Sequence, residues 1–457
     1  MPDVLRRLEA ADMNGLMMSR ENRSETSWDM TATDAPEGAA ALPDSRFEHT
    51  PAKENYRLRS LYRYVFCRTV QWIGSRILGP RACTGTPDPS RVRRVLVIRL
   101  DGIGDVVLNT PLLRELRLLF PQAKLTLVVL QGCLSLMETC PYVDRVLGYT
   151  AKTPRFGKRL WRVVRHLLYA RRHFWAGDFD LAIVPRFDTD DDDVAYLAYF
   201  SRAKWRLAYA ESATPRKRQL DRGKDALFTH ILDSSGTKHE VERNLDVVRF
   251  LGARAPGSEL ELWATQEDYA SVRRLLGAGG RRLEDLLIAV VPGAGQARKV
   301  WPWRRFSDVC SWLIDTYAAQ IVLIGGEGDR DTAKQIVSQV GAEILDVTGA
   351  LSLREVFALL QQCQLFIGND TGSMHMAAAA GVPIIGVNGH ALSAKVDHEL
   401  SPLRFGPWRA RSRIVRPSRS TPPCDAGCLA HAPHCILAVS VEDVTRAAAT
   451  LLSEKAG

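Results

Sequence analysis

From Val92 onward the chain alternates short apolar runs with segments of helical spacing. "VRRVLVIRL", "KLTLVVL" and "DLAIVPR" make one series, and "LLIAVVPGAG", "AQIVLIGGEGD", "AEILDVTG", "CQLFIGNDTG" and "VPIIGVNG" a second. Runs this short and this uniformly apolar read as strands buried on both faces, and with helices between them they predict parallel sheets covered on both sides. The rhythm lapses across residues 253–284, where "GARAPGSEL" and "GAGGRRLED" read as loop. Two similar α/β halves joined there leave a cleft between them. Ligands of such open sheets sit beyond the carboxyl ends of the strands, where the glycine-rich turns of this chain fall.

A length of 457 residues is ample for two domains, and 46% hydrophobic with 25% charged residues describes an ordinary globular protein. The net charge of +9 favours an anionic partner such as a phosphate-bearing lipid, a nucleotide or a nucleic acid. No recognised nucleic-acid module is present, and no nucleic-acid partner is expected. No run of 18 apolar residues exists, so no transmembrane helix is expected, and the opening residues lack the apolar core of a secretory signal. Nine cysteines, mostly scattered singly, suit a reducing cytoplasm. Residues 1–54 are polar and without period, and disorder is expected there. Within 55–92, Leu58, Leu61, Tyr62, Val65, Phe66, Ile73 and Ile77 recur at helical spacing among Arg57, Arg59, Arg63, Arg68 and Arg76. Such a basic amphipathic helix either packs on the body of the protein or lies on a membrane surface.

Three loops carry the chemistry. "RLDGIGDVVLNTP", residues 99–111, follows the first strand, but Val107 stands where a dinucleotide fingerprint needs its third glycine. No phosphate loop of the Gly-x4-Gly-Lys-Ser/Thr type occurs either, so a dehydrogenase or P-loop enzyme is disfavoured. Asp105 is then open to two readings, an acid complementing the helix dipole or a carboxylate presented to a ligand. In "PGAGQARKVWPWRRF", residues 292–306, Gly293 and Gly295 let backbone approach a ligand, Lys299 reaches into the same space, and Pro302 suits a helix start. In "IGNDTGSMHMAAAAGVP", residues 367–383, Asp370, Thr371, Gly372 and Ser373 lead into a helix of small residues that carries His375.

Together these loops resemble glycosyltransferase family 9, the heptosyltransferases of lipopolysaccharide core assembly. The likeness extends over "VLVIRLDGIGDVVLNTPLLRELRLLFPQAKLTLVV", "HEVERNLDVVRFLG", "VPGAGQARKVWPWRRF" and "FIGNDTGSMHMAAAAGVPIIGVNG", from about Arg93 to the C-terminus. It implies a GT-B architecture, two Rossmann-like parallel-sheet domains facing a central cleft. It also implies inverting transfer of a sugar, with ADP-heptose as donor, without a required cofactor or catalytic metal. On that resemblance Asp105 is the general base, Lys299 contacts the donor diphosphate, and Glu327 in Gly-Gly-Glu binds the nucleotide ribose. Asp370, Thr371, Gly372 and His375, with Gly293 and Gly295, hold the nucleotide and its phosphates. Gly295 stands where the family often has a hydroxyl residue, which leaves one phosphate contact to backbone or to nothing.

Residues 155–174 interleave leucine and valine with Arg159, Arg162, Arg165 and Arg172, and Arg99 and Arg186 add to a basic first half. Arg99, Arg162, Arg165 and Arg186 are therefore expected to meet an anionic, lipid-linked glycan acceptor at the cytoplasmic face of the inner membrane. "DTDDDD", residues 188–193, is expected to start a helix rather than to bind metal. "CDAGCLAHAPHC" offers Cys424, Cys428, His431, His434 and Cys435, enough ligands for zinc but not at a standard finger spacing, and no metal site is assigned to it. "SVEDVTRAAATLLSEKA" reads as a closing helix opened by Ser440, of the kind that in GT-B proteins often crosses back to the first domain. The expected domains are 93–256 on the acceptor side, 257–439 for the nucleotide sugar, and 440–457 for that helix. The alternatives are the same reaction with another donor sugar, or a degenerate glycan- or nucleotide-binding protein.

Overall fold

The computed structural model describes residues 53–454, apart from 80–82, 84, 86, 89, 151–157, 235, 279, 281–284, 342–343, 399, 425–426 and 429. The disorder expected for residues 1–54 lies, but for the last two, outside the described residues. Among the described residues no helix is long and apolar enough to cross a membrane.

Two six-stranded sheets form, every pairing in them parallel. The first holds β1 (Arg94–Arg99), β2 (Lys124–Leu130), β3 (Arg145–Tyr149), β4 (Leu181–Val184), β5 (Trp205–Tyr209) and β6 (His230–Leu232), in the order 3-2-1-4-5-6. The second holds β7 (Leu287–Val291), β8 (Gln320–Leu323), β9 (Ile344–Asp346), β10 (Leu365–Asn369), β11 (Ile384–Val387) and β12 (Ser412–Val415), in the order 9-8-7-10-11-12. Both halves thus have the doubly wound order, with a crevice where the winding reverses beside β1 and β7. Burial on both faces explains the apolar runs. Val95 and Val97 enter one core while Leu96 and Ile98 enter another, and Leu287, Ala289 and Val291 part from Ile288 and Val290 in the same way. The core beneath Val95 and Val97 continues into the second half through Leu287, Ala289 and Phe366.

The principal helices are α1 (Lys53–Leu78), α2 (Ile103–Leu108), α3 (Thr110–Leu119), α4 (Lys158–His173), α5 (Val194–Phe200), α6 (Glu240–Phe250), α7 (Gln266–Ala278), α8 (Trp303–Tyr317), α9 (Arg330–Val340), α10 (Leu353–Leu360), α11 (Gly372–Ala379) and α12 (Val441–Ser453). The segment "VVLNTPLLRELRLLFP", which by its spacing reads as one helix ended by Pro121, forms two, because the ring of Pro111 cannot follow the carbonyl of Val107 in an unbroken helix. The lapse at 253–284 conceals α7, whose buried face is only Asp268, Val272 and Leu276. The terminal helix α12 does not cross back: Val444, Ala448 and Leu451 pack in the second half beside Phe306 and Val309. Ser440 caps it through a reciprocal bond with Asp443, as its sequence predicts.

Helix α1 packs on the first half. Arg63 donates to the Leu220 carbonyl at 2.8 Å, Gln71 donates to that of Ala226 at 2.6 Å, and Tyr199 Oη donates to that of Gln71 at 2.9 Å. Its other face leaves Leu61, Tyr62, Val65, Trp72 and Ile73 exposed. The acidic run does start a helix, since Asp190 accepts from the N–H groups of Val194 and Ala195 at 2.7 and 3.0 Å. Lys224 Nζ lies 2.9, 3.0 and 3.1 Å from Asp190, Asp193 and Asp221, which ties that turn down.

His239 joins the halves. Its Nδ1 accepts from Val241 N–H at 3.2 Å, capping α6, and its Nε2 donates to the Gly406 carbonyl at 3.0 Å. The capping bond needs the neutral ring, and burial pushes the pKa down to about 4. As the pH falls, the unfolded chain takes up its proton first, near the ordinary value of about 6.5. Stability should therefore be full above pH 6.5 and fall progressively toward pH 4. His166, held near 4 by burial as well, adds to the same limb. His239→Asn keeps a capping oxygen but cannot take the proton, so melting temperatures measured from pH 7 to 4 should fall less steeply in that variant.

Candidate active site

The site begins where β1 runs out. Arg99, its last residue, is 1% exposed and surrounded by carboxylates. Nη2 donates to Asp105 Oδ1 at 2.9 Å and to Glu240 Oε1 at 3.0 Å, while Nε lies 2.8 Å from Asp101 Oδ2. Burial disfavours the charged guanidinium, but Asp105 and Glu240 outweigh it and hold its pKa above the usual value. Burial also raises the pKa of Glu240, against the pull of Arg99. Asp105 differs from these partners in keeping its side chain 33% exposed, toward the cleft. It sits in the first turn of α2, so the dipole reading and the presented-carboxylate reading are compatible.

The second half faces it with two loops pinned to each other. Asn369 closes β10, donates from Nδ2 to the Pro292 carbonyl at 2.7 Å, and accepts from Trp301 N–H at 3.1 Å. That bond pair fixes the glycine loop carrying Lys299 against the turn carrying Asp370. Lys299 Nζ lies 2.8 Å from Asp370 Oδ2. Thr371 then opens α11 without a side-chain cap, leaving first-turn N–H groups to whatever occupies the cleft. His375, one turn on, is buried, its pKa lowered by that burial, and its Nδ1 has no partner.

The halves meet at α2 and α11, and only glycine fits there. A Cβ on Gly104 would stand 2.6 Å from His375 Cδ2, and one on Gly372 would stand 2.7 Å from Ile103 Cβ. Around this contact opens a cavity of about 690 Å³, walled by Asp105, Arg186, Gly295, Lys299, Asp370 and His375 among others. That volume suits a ligand larger than a simple metabolite.

Asp105, Gly295, Lys299, Asp370, Thr371, Gly372 and His375 thus converge as expected in one place. Gly293 lies just behind, under the Asp329 carboxylate. Glu327 is outside the cavity wall, exposed and 2.9 Å from Arg330. The basic residues divide. Arg186 lines the cleft, paired with Asp101 and donating to the Thr189 carbonyl at 2.5 Å. Arg162 is turned to the acidic run, 3.1 Å from Asp193, and Arg165 stacks over Tyr149 and Trp161, so neither reaches the cleft. Arg99 does line the cleft, but its guanidinium is 1% exposed and held among three carboxylates. Asp101, Glu240 and Asn369 are the residues that sequence reasoning missed; all three lie inside the motifs named above, but nothing in their spacing shows whom they meet.

Two doubly wound halves sharing a cleft, with an exposed carboxylate from one and a lysine and helix N-terminus from the other, are the construction of a GT-B glycosyltransferase. The model of the family described as glycosyltransferase family 9 (heptosyltransferase) matches residues 194–431. The chain belongs to that family. Lipopolysaccharide heptosyltransferase 3 of Escherichia coli K12 is 28% identical over 308 residues, covering 67% of this chain and 82% of its own. Among solved structures, a family 9 glycosyltransferase from Veillonella parvula is similar with a TM-score of 0.65 at 23% identity, over 81% of this chain and all of its own. The E. coli heptosyltransferase WaaC with ADP is similar with a TM-score of 0.57 at 17% identity, over 78% of this chain and 99% of its own.

The glycine contact makes a direct prediction. Gly104→Ala should lower stability in urea by about 1–3 kcal/mol, the usual cost of overpacking. Gly295→Ala, where an added Cβ meets nothing within 4 Å, should stay within about 0.5 kcal/mol of the parent.

Proposed function

We propose that the chain is an inverting glycosyltransferase that moves a heptose from ADP-heptose onto a lipid-linked glycan of the lipopolysaccharide-core type. The observation that carries this is the opposition of Asp105 and Lys299 on one cleft, each supplied by a different half. An acceptor hydroxyl entering from the first half attacks the anomeric carbon, forming the new glycosidic bond as the bond to the diphosphate oxygen breaks. Attack opposite the leaving group inverts the carbon. The hydroxyl proton passes to Asp105, and the nucleoside diphosphate leaves with the bonding pair.

Arg99 acts as a positioning residue here. It holds one oxygen of Asp105 and leaves the rest of the carboxylate to the cleft, the arrangement a general base needs. On the donor side Lys299 and the free N–H groups of α11 offset charge developing on the diphosphate, so the transfer step needs no metal. Asp370 keeps the lysine aimed at the cleft in the meantime. The partnerless Nδ1 of His375 is available to the nucleotide, and Glu327 is assigned to the ribose at the outer end of the site. Arg186 is the acceptor-side arginine that this reading retains.

The choice of heptose and ADP is supported by the relatives named heptosyltransferases and by the similar fold solved with ADP. Placement on the cytoplasmic membrane face is supported by α1 and α4, whose exposed Tyr62, Trp72, Leu160 and Trp161 stand among arginines.

Four measurements test this. In a thermal-shift panel of ADP, GDP, UDP, CDP and NAD, ADP should give the largest rise, since a ligand of the folded state stabilises by mass action. Asp105→Asn should cut transfer by about 10²-fold or more while leaving ADP affinity within a factor of about two. Lys299→Ala should weaken ADP binding by about tenfold or more, the worth of a lost charge-assisted bond. Wild-type turnover in Asp105→Asn would remove the base assignment, and stabilisation by another diphosphate would change the donor. For the membrane, sedimentation with phosphatidylglycerol vesicles should fall in Trp72→Ser, whereas equal sedimentation would detach α1 from the membrane.

A further inference from the structure

Between the end of β12 at Val415 and the start of α12 at Val441 the described chain forms only one short turn of helix, Cys435–Ala438. A connection of that length without secondary structure needs something to hold it. Three of the chain's cysteines gather there. Cys424, Cys428 and Cys435 are buried and form no disulfide, beside Leu400 and Ala430.

His434 completes the group. Its Nδ1 lies 3.6 Å from Cys424 Sγ, 3.9 Å from Cys428 Sγ and 3.5 Å from Cys435 Sγ, and the four atoms all fall within 4.8 Å of one another. These spacings discriminate between chemistries. A disulfide would bring two sulfurs to about 2.05 Å. An ion at tetrahedral angles, with sulfur at about 2.3 Å and nitrogen at about 2.0–2.1 Å, sets each sulfur about 3.6 Å from the nitrogen. The three observed sulfur–nitrogen distances match the edges that would meet at the nitrogen. His431, exposed, stands outside the group.

We propose that Cys424, Cys428, His434 and Cys435 form a closed, tetrahedral zinc site that fixes this connection behind the donor side of the cleft. Three thiolates and one imidazole favour a borderline-soft ion without geometric demands of its own, which selects zinc over magnesium or calcium. With four protein ligands no position is open to substrate, so the site is structural. Binding releases the thiol protons and adds its free energy to folding.

The site has a route to Lys299. Arg298, its neighbour, donates to the Cys428 carbonyl at 3.1 Å, and Cys428, Arg298, Lys299 and Asp370 wall one small cavity. Loss of the ion should therefore loosen the loop that carries Lys299. This last step rests on the donor-site reading given above, whereas the metal content does not.

The test uses the full chain as purified. Elemental analysis should find one zinc per chain, kept in Cys83→Ser, whose thiol is distant in sequence and exposed, and lost in Cys428→Ser and His434→Ala. Should those variants fold poorly, the parent chain decides. Stripped with a chelator and titrated with Co²⁺, it should develop thiolate-to-cobalt charge-transfer absorption that saturates at one equivalent and is displaced by Zn²⁺. A chain that carries no metal and takes up neither ion would overturn the site, and full zinc in Cys428→Ser would overturn the ligand set. Iron in place of zinc would overturn the choice of ion. Stripping should also weaken ADP binding several-fold. Unchanged ADP affinity in the stripped chain, where the parent carries one zinc, would overturn only the link to Lys299.

Discussion

The active centre of this protein depends on one close approach, that of the N-terminal turns of two helices across the cleft. Gly104 and Gly372 let α2 and α11 come within contact of His375 and Ile103. The two turns carry the chemistry of their halves, Asp105 on one and the Asp370–Thr371 corner on the other. A side chain on either glycine would part the halves and separate the carboxylate from the lysine loop. The Gly-x-Gly after β1 therefore serves less to bend the chain than to remove a Cβ from an interdomain contact.

Around that contact the charges are arranged in two tiers. Arg99 is fully buried, and its charge is balanced by Asp101, Asp105 and Glu240. A buried charge cluster of this kind is expensive to assemble and contributes little net stability, so its retention is better explained by the orientation it imposes. All three carboxylates line the cleft, but only Asp105 keeps an exposed part of its side chain there, while Asp101 and Glu240 are buried in the wall. Across from it, Asn369 does with neutral hydrogen bonds what Arg99 does with charge, locking two loops so that Lys299 and Asp370 share a place.

Much of the fold was legible because parallel strands buried on both faces leave an unmistakable apolar signature. β1, β2, β4, β7, β8, β10 and β11 all lie within the quoted runs. Where burial is one-sided and sparse the signature fails, as in α7, which shows the core only Val272 and Leu276 besides Asp268. The break at Asn109 was missed for a different reason: Pro111 is tolerated early in a helix, so its presence did not reveal that a new helix was starting there. The arginines show a third kind of limit. Charge counted along the chain made one basic surface of Arg99, Arg162, Arg165 and Arg186, yet the fold turns Arg162 and Arg165 elsewhere, buries Arg99 in the cleft wall, and leaves Arg186 there with a partly exposed side chain.

What the sequence determined by itself was local: the strand rhythm, the glycine turns at strand ends, the capping of α12 by Ser440, and the motifs of family 9. These follow from periodicity and backbone preference, which act over a few residues. Tertiary structure alone decided partnership. That Arg99 binds Glu240, that His375 lies on Gly104, and that Cys424 and Cys435 converge on His434 are contacts set by how two sheets and their loops pack. Electrostatics and packing act through space at a few ångströms, between residues that the chain keeps up to some 270 positions apart, and spacing along a sequence carries no record of that distance.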